Sequence, residues 1–213
     1  MDDIQSQSFQ YWEKFYANYD QNVILVDDDW LDRFEHMIDE CRTPIPDLGC
    51  EGNHNTSYLM RKHKSVIACN FSPSALAHIR QNFPDIYATE QFDLVDGMPF
   101  SDSSFDLIIA DLCLHYFTEK DTFAILTEIK RTLKAGGHLL FRVNSVNDIN
   151  YAAKQGEEIE HHLYKTPDNR LKRFFDSTDI KHFFKDFKVE YLREESTSVY
   201  GPEKTVFVGC VEK

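Results

Sequence analysis

The chain alternates between short apolar runs of strand length and longer stretches whose apolar residues recur at helical spacing. Near the start, "FQYWEKFYANYD" sets Phe9, Trp12, Phe15 and Tyr16 at steps of one, three and four, which predicts an amphipathic helix. "DDDWLDRFEHMIDECR" predicts a second helix, with its acidic run at the end the helix dipole favours. From Thr43 the rhythm changes. "TPIPDLG" is a strand candidate that Pro44 and Pro46 delay. A helix is expected around residues 56–63, and "SVIACN" follows as a β-branched strand. "SPSALAHIRQNF" opens a helix with Ser72 as N-cap and Pro73 at the first helical position. A weaker strand lies near "IYATEQFD", and "SFDLIIAD" is the clearest strand, apolar enough to be buried on both faces.

Thr118 then caps "EKDTFAILTEIKRTLK", in which Phe123, Leu126, Ile129 and Leu133 form an apolar stripe. Ala135-Gly136-Gly137 is expected to end that helix with a left-handed glycine cap, before "HLLFRVN" as another buried strand. Strand and helix in this alternation imply a parallel sheet with right-handed crossovers. Residues 147–175 break the rhythm and read as polar and irregular. A helix near "STDIKHFFKDF" follows, then "KVEYLREES" and "TVFVGCVEK", joined by "TSVYGPEK" as an antiparallel hairpin. The predicted fold is α/β, a doubly wound, mostly parallel seven-stranded sheet with a terminal antiparallel strand. It forms a single domain over residues 1–213, with a helical extension or lid over 1–42 and a variable substrate-side insertion over 146–185.

Composition narrows the function. With 213 residues there is chain enough for one sizeable core, and 42% hydrophobic with 28% charged residues is ordinary for a soluble protein. The 17 Phe and 10 Tyr must line a core, a pocket or both. The balance of 23 basic against 36 acidic residues, −13 in all, repels phosphate backbones and argues against a nucleic-acid partner. "MDDIQSQSFQ" has no apolar region of a secretory leader, and no apolar run approaches the ~18 residues of a membrane span. Cys41, Cys50, Cys69, Cys113 and Cys210 form no CxxC pair and are odd in number. Reduced thiols serving as small buried residues in a cytoplasmic protein are expected.

The strand ends carry the candidate chemistry, because ligands of open α/β sheets bind beyond the carboxyl ends of the strands. In order they are Asp47-Leu48-Gly49, Asn70-Phe71, Phe92-Asp93-Leu94, Asp111-Leu112 and Asn144. Such a set of carboxylates and amides suits a polar, hydroxyl-bearing or cationic ligand. His115 has the intrinsic pKa for proton transfer near neutrality, although a packed ring is the plainer reading. Arg142 either meets an anionic substrate or closes a salt bridge within the fold. His161 and His162 beside Glu157, Glu158 and Glu160 match no metal-ligand spacing, so a solvated charged face and no metal are expected. No GxGxxG follows the first strand, which disfavours a nicotinamide-dependent oxidoreductase.

"PDLGCEGNHNTSYL", "VIACNFSPSAL", "GMPFSDSSFDLIIADLCLHYF" and "EIKRTLKAGGHLLFRVNS" agree in order and spacing with the motifs of class I S-adenosylmethionine-dependent methyltransferases, which Thr43 to Ser145 resemble. "RVNSVNDINY" and "KRFFDSTDIKHFF" further resemble the tellurite-resistance-type small-molecule branch. The resemblance implies a Rossmann-like methyltransferase fold and methyl transfer to a small-molecule acceptor, with S-adenosylmethionine as cofactor and S-adenosylhomocysteine as product. It implies that Asp47, Gly49 and Glu51 lie by the methionine part, Asn70 by the ribose, Phe71, Asp93 and Leu94 by the adenine, and Asp111 and Leu112 near the sulfonium. His115 and Tyr116 would turn towards the acceptor as catalytic residues, and Trp12, Tyr16, Arg142 and Asn144 would contact the substrate. Glu51 and Asn53 stand where the family pattern has glycine, and Asn70 where it has an acid. These departures imply cofactor binding weaker by about one to three orders of magnitude. The alternative they raise is a methyltransferase-fold protein that binds a ligand or protein partner without turnover.

Overall fold

The computed structural model of the protein describes residues 3–18, 28–50, 54–167, 170–199 and 201–213. Strands β1 (Ile45–Leu48), β2 (Val66–Asn70), β3 (Ala88–Gln91), β4 (Phe105–Asp111) and β5 (Leu133–Asn144) run parallel. Three short strands, β6 (Glu157–Glu160), β7 (Leu163–Lys165) and β8 (Leu171–Arg173), make a separate antiparallel sheet. The chain then returns to the main sheet as β9 (Lys188–Thr197) and β10 (Lys204–Glu212), giving the seven-strand order β3-β2-β1-β4-β5-β10-β9. Helices α1 (Asp3–Ala17), α2 (Glu35–Glu40), α3 (His54–Arg61), α4 (Pro73–Asn82), α5 (Glu119–Thr132) and α6 (Ser177–Phe183) complete the fold.

Strand alternation divides the core in two. On β4, Ile108 and Ala110 share one cluster with Leu139 and Phe141 of β5 and with Phe183 and Phe184. Leu107 and Ile109 face the other way, towards Trp30, Leu31, Phe34 and Ile38. The doubly wound reading of the sequence is therefore correct, as are the N-caps. Ser72 Oγ accepts from Ala75 N–H, and Thr118 Oγ1 accepts from Asp121 N–H.

Several local expectations are corrected. Pro46 sits inside a central strand. Ile45 N–H donates to Ser65 O on the β2 side, so alternation turns the nitrogen of Pro46 towards β4, where pairing starts only at Asp47 and Leu48. The segment 29–40 is a 3-10 turn, Asp29–Phe34, followed by a short α2. Helix α5 ends at Thr132 without a glycine cap, because buried Leu133 is already extended and pairs with Phe105; Gly136, at φ 74°, turns the chain within the start of β5. Residues 147–175 are not simply irregular but contain β6, β7 and β8, whose three- and four-residue, charge-rich strands leave little period to read.

Candidate functional site

The connections from β1 lead to β2 and β3 on one side and then cross to β4 and β5 on the other. A ligand crevice is expected at that reversal. A cleft enclosing roughly 900 Å³, part of it open to solvent, lies there. Its floor is Leu48 and Gly49 after β1, Cys69, Asn70 and Phe71 at β2, and Leu112 and Cys113 after β4. Phe92, Asp93, Leu94 and Val95 form one wall, and Tyr116, Phe117 and Leu171 the other. Trp12 and Tyr16 of α1 close the top.

Two backbone positions set the floor. Gly49 has φ 66°, and a Cβ there would stand 2.6 Å from Cβ of Cys113, so only glycine lets β1 end against the β4 loop. Leu112 has φ 51°, a left-handed conformation that costs a bulky residue about 1–3 kcal/mol; its N–H is tied to Arg142 O at 2.9 Å. Asn70 is buried at the rim. Its Oδ1 accepts from Ser72 N–H at 2.9 Å, and its Nδ2 donates to Cys50 O at 3.1 Å. One lone pair of Oδ1 is left for a hydroxyl in the cleft. Asp93 Oδ1 accepts from Val95 N–H at 3.2 Å, and burial raises the carboxyl's pKa above the usual range.

Beneath the floor lies a buried ionic network. Arg142 donates from Nε to Asp111 Oδ1 at 2.6 Å, and from Nη2 to Asp111 Oδ2 at 2.7 Å and Asp28 Oδ2 at 2.6 Å. Its guanidinium also lies 4.8 Å from the centroid of Trp30. Trp30 Nε1 holds Asn55 Oδ1, and Asn55 Nδ2 faces Asp47 and Asp111 at 3.4 and 3.3 Å. Thr56 Oγ1 donates to Asp47 Oδ2 at 2.8 Å. Burial, with the Asp111 charge added, pushes the Asp47 carboxyl up to about 7, against the lowering effect of Thr56 and Asn55. Asp28, Trp30, Asn55 and Thr56 escaped the sequence reading. The polar pair on the inner face of α3, just after the loop, was the available signal.

At the far end, Tyr116 meets Trp12 edge-on at 5.5 Å. His115 does not line the cleft; it is buried behind Tyr116, and its Nδ1 has no hydrogen-bond partner. Burial, joined by the charges of Lys204, Lys172 and Arg170, holds its pKa well below the ordinary value and the ring neutral. Asn144 is fully buried, and neither atom of its side-chain amide has a partner. Helix α1 is held down by Glu13, which accepts from Ser72 Oγ and Ser74 Oγ, and by Arg170, stacked 4.1 Å from Tyr11 and 5.4 Å from Trp12.

The cleft thus gathers Trp12, Tyr16, Gly49, Asn70, Phe71, Asp93, Leu94, Leu112 and Tyr116 of the expected residues. Asp47, Asp111 and Arg142 lie beneath it in the network, and Glu51 lies outside the described residues. Away from the cleft, His161, His162 and Asp179 come together. Asp179 Oδ2 is already used, accepting from Asp176 N–H to cap α6 and meeting His162 Nδ1 at 2.7 Å, while the two imidazoles stack at 3.9 Å. Three of the thiols are poor nucleophiles: burial raises Cys41 and Cys69 and pushes Cys210 up to about 12.

Comparison with known proteins agrees with this architecture. Residues 46–141 match the family described as a methyltransferase domain. An uncharacterised methyltransferase of Synechocystis is 34% identical over 44% of this chain and 43% of its own length. The chain therefore spans under half of that relative. A tRNA N(3)-cytidine methyltransferase of Homo sapiens is 23% identical over 90% of this chain and 72% of its own. Among solved structures, the 1,6-didemethyltoxoflavin-N1-methyltransferase of Burkholderia thailandensis, with S-adenosylhomocysteine bound, aligns at TM-score 0.71 and 14% identity over 98% of this chain and 88% of that one. TehB of Haemophilus influenzae aligns at 0.64 and 15%, covering 94% and 66%. The methyltransferase-domain match over residues 46–141, the strand order and the likeness to solved methyltransferases agree on a Rossmann-like methyltransferase fold.

Proposed function

We propose that the chain transfers a methyl group from S-adenosylmethionine to a small-molecule acceptor. The observation that carries this reading is the cleft itself, largely apolar, at the sheet's reversal point, and roofed by a helix. The residues present fit an adenosyl ligand. Phe71 and Leu94 offer apolar faces for a flat base, Asp93 an acceptor for an amino group, and Asn70 Oδ1 an acceptor for a ribose hydroxyl. Gly49 keeps the methionyl end of the floor low. When bound, the cofactor supplies a methyl group already activated on sulfonium sulfur. The protein's part is then alignment and exclusion of water. Leu112 is held in its left-handed turn beneath that position; Asp111 acts at one remove, fixed by Arg142 and Asn55. Trp12, Tyr16 and Tyr116 cover the acceptor end.

A small molecule is favoured over RNA because a chain of net charge −13 repels a polyphosphate, and because α1 narrows access to the cleft. Five unbridged cysteines suit a reducing compartment, so we place the protein in the cytoplasm; no helix of the described residues is long and apolar enough to cross a membrane. The test is formation of S-adenosylhomocysteine from methyl-labelled cofactor over a panel of thiols, amines, metalloid anions, organic acids and a tRNA transcript. Label in any small acceptor is the expected result. Label in the tRNA alone refutes the acceptor class.

A further inference from the structure

The carboxylates at the strand tips suggest a cationic ligand when read in sequence, but on the β5 side of the sheet the structure pairs its carboxylates from within. Asp111 is gripped by Arg142, and Asp148 accepts from Lys204 Nζ at 3.0 Å and from Thr205 N–H at 3.1 Å. What lies behind Tyr116 is of another character. Register places Asn144 two residues past the Asp111–Arg142 pair, where β4 has already ended, and opposite Val206 of β10. Lys204, two residues before Val206, projects from the same sheet face as Asn144. His115 is tied to β8 through Arg173 N–H, which donates to its carbonyl at 2.7 Å, bringing the neighbouring Lys172 alongside. Lys172 Nζ donates to Tyr151 O at 2.7 Å, and Lys204 Nζ lies 4.3 Å from the Tyr151 ring.

Three buried groups there lack hydrogen-bond partners among the described residues, the whole amide of Asn144, Nδ1 of His115 and Nε of Arg173. Native proteins rarely bury an amide with both atoms unsatisfied, and such a group points to a ligand or ordered water. Beyond the Lys204–Asp148 pair, the charges of Lys172 and Arg170 bear on His115, which disfavours an ammonium and suits an anion.

We infer that these unpartnered buried groups mark an acceptor subsite reached from the cleft past Tyr116, and that it takes a small organic acid whose oxygens accept from Asn144 Nδ2 beside Lys172 and Lys204. The inference rests on the methyl-transfer reading and narrows its acceptor to molecules bearing a carboxylate or a phosphate monoester. The test titrates the full chain, saturated with S-adenosylhomocysteine, with benzoate, phenyl phosphate, benzamide and benzylamine. Benzoate or phenyl phosphate should bind at least about tenfold more tightly than the neutral or cationic probe, and which of the two is tighter identifies the oxyanion. Asn144→Leu and Lys172→Met should each weaken that binding about tenfold, while affinity for S-adenosylhomocysteine moves less than about threefold. Asn144→Leu keeps the side chain's bulk and removes two unpartnered polar atoms, so the free variant should melt at or above the wild type. Benzamide or benzylamine binding as well as the acids, no binding by any probe, unchanged affinity in the variants, or a lowered melting temperature for Asn144→Leu would each overturn the subsite. Failure of S-adenosylhomocysteine to bind strikes the methyl-transfer reading instead; the same probes on the free chain then decide the subsite separately.

Discussion

Replacing Arg142 by methionine separates a structural role from a substrate-binding one. The Arg142 side chain is 2% exposed and holds Asp111 through two hydrogen bonds and Asp28 through a third. Methionine keeps the length and apolar bulk but leaves both carboxylates buried without their cation. Breaking a buried pair from one side costs about 3–5 kcal/mol, because the abandoned charge keeps its desolvation penalty. For a chain of this size each kcal/mol lowers Tm by about 2–4 °C, so Arg142→Met should lose about 6–20 °C. Adding Asp111→Asn removes one of the stranded charges and should recover about 1–3 kcal/mol, which a double-mutant cycle by urea denaturation measures. A destabilisation below about 1 kcal/mol, or a double variant no more stable than the single one, would refute the network account. Lost methyl transfer with unchanged stability would return Arg142 to the substrate.

Asp47 predicts a dependence on pH. Its folded pKa of about 7 lies above that of an unfolded aspartate, so its contribution is fully present at low pH and is lost as pH rises from about 4 to about 7. Asp47→Asn keeps the acceptor for Thr56 without the charge. Its Tm advantage over the wild type should be near zero at about pH 4 and largest at about pH 8; the opposite trend would show that Asp47 is stabilised as an anion. Asn70→Asp looks from sequence like a change that tightens cofactor binding. In the structure it sets a carboxylate against Cys50 O in place of a donor, at a cost of about 1–3 kcal/mol, so affinity for S-adenosylhomocysteine should not improve; a tenfold or greater gain by calorimetry would contradict the Asn70–Cys50 bond. Glu13→Gln weakens the hold of α1 on Ser72 and Ser74, and should quicken release of S-adenosylhomocysteine in stopped-flow Trp fluorescence by about three- to tenfold; an unchanged rate would mean the helix does not gate the cleft.

The sheet was legible because apolar runs such as "SFDLIIAD" satisfy burial on both faces, a local property that fixes strand identity before any packing is known. The tips were legible because the fold places each residue after a strand near one crevice, as Asn70, Asp93 and Leu112 show. The status of the charges was not. Asp111 and Arg142 are 31 residues apart, and Arg142 and Asp28 are 114 apart, so nothing local reveals that these groups neutralise one another. Gly49 depends in the same way on Cys113, a neighbour only in the folded chain. β6 to β8 were hidden because strands as short as "LYK" and "LKR" take their stability from mutual pairing rather than from a pattern.

Everything proposed for this chain requires that the crevice formed by Gly49, Asn70, Asp93 and Leu112 hold an adenosyl ligand. Isothermal calorimetry of the full chain with S-adenosylhomocysteine tests it most directly, with Asp93→Ala as a paired measurement. A single site with Kd of about 1–100 µM, weakened at least about tenfold in Asp93→Ala, is the predicted result. A folded chain that gives no heat at about 1 mM ligand, or that binds equally well without the Asp93 carboxylate, would contradict it.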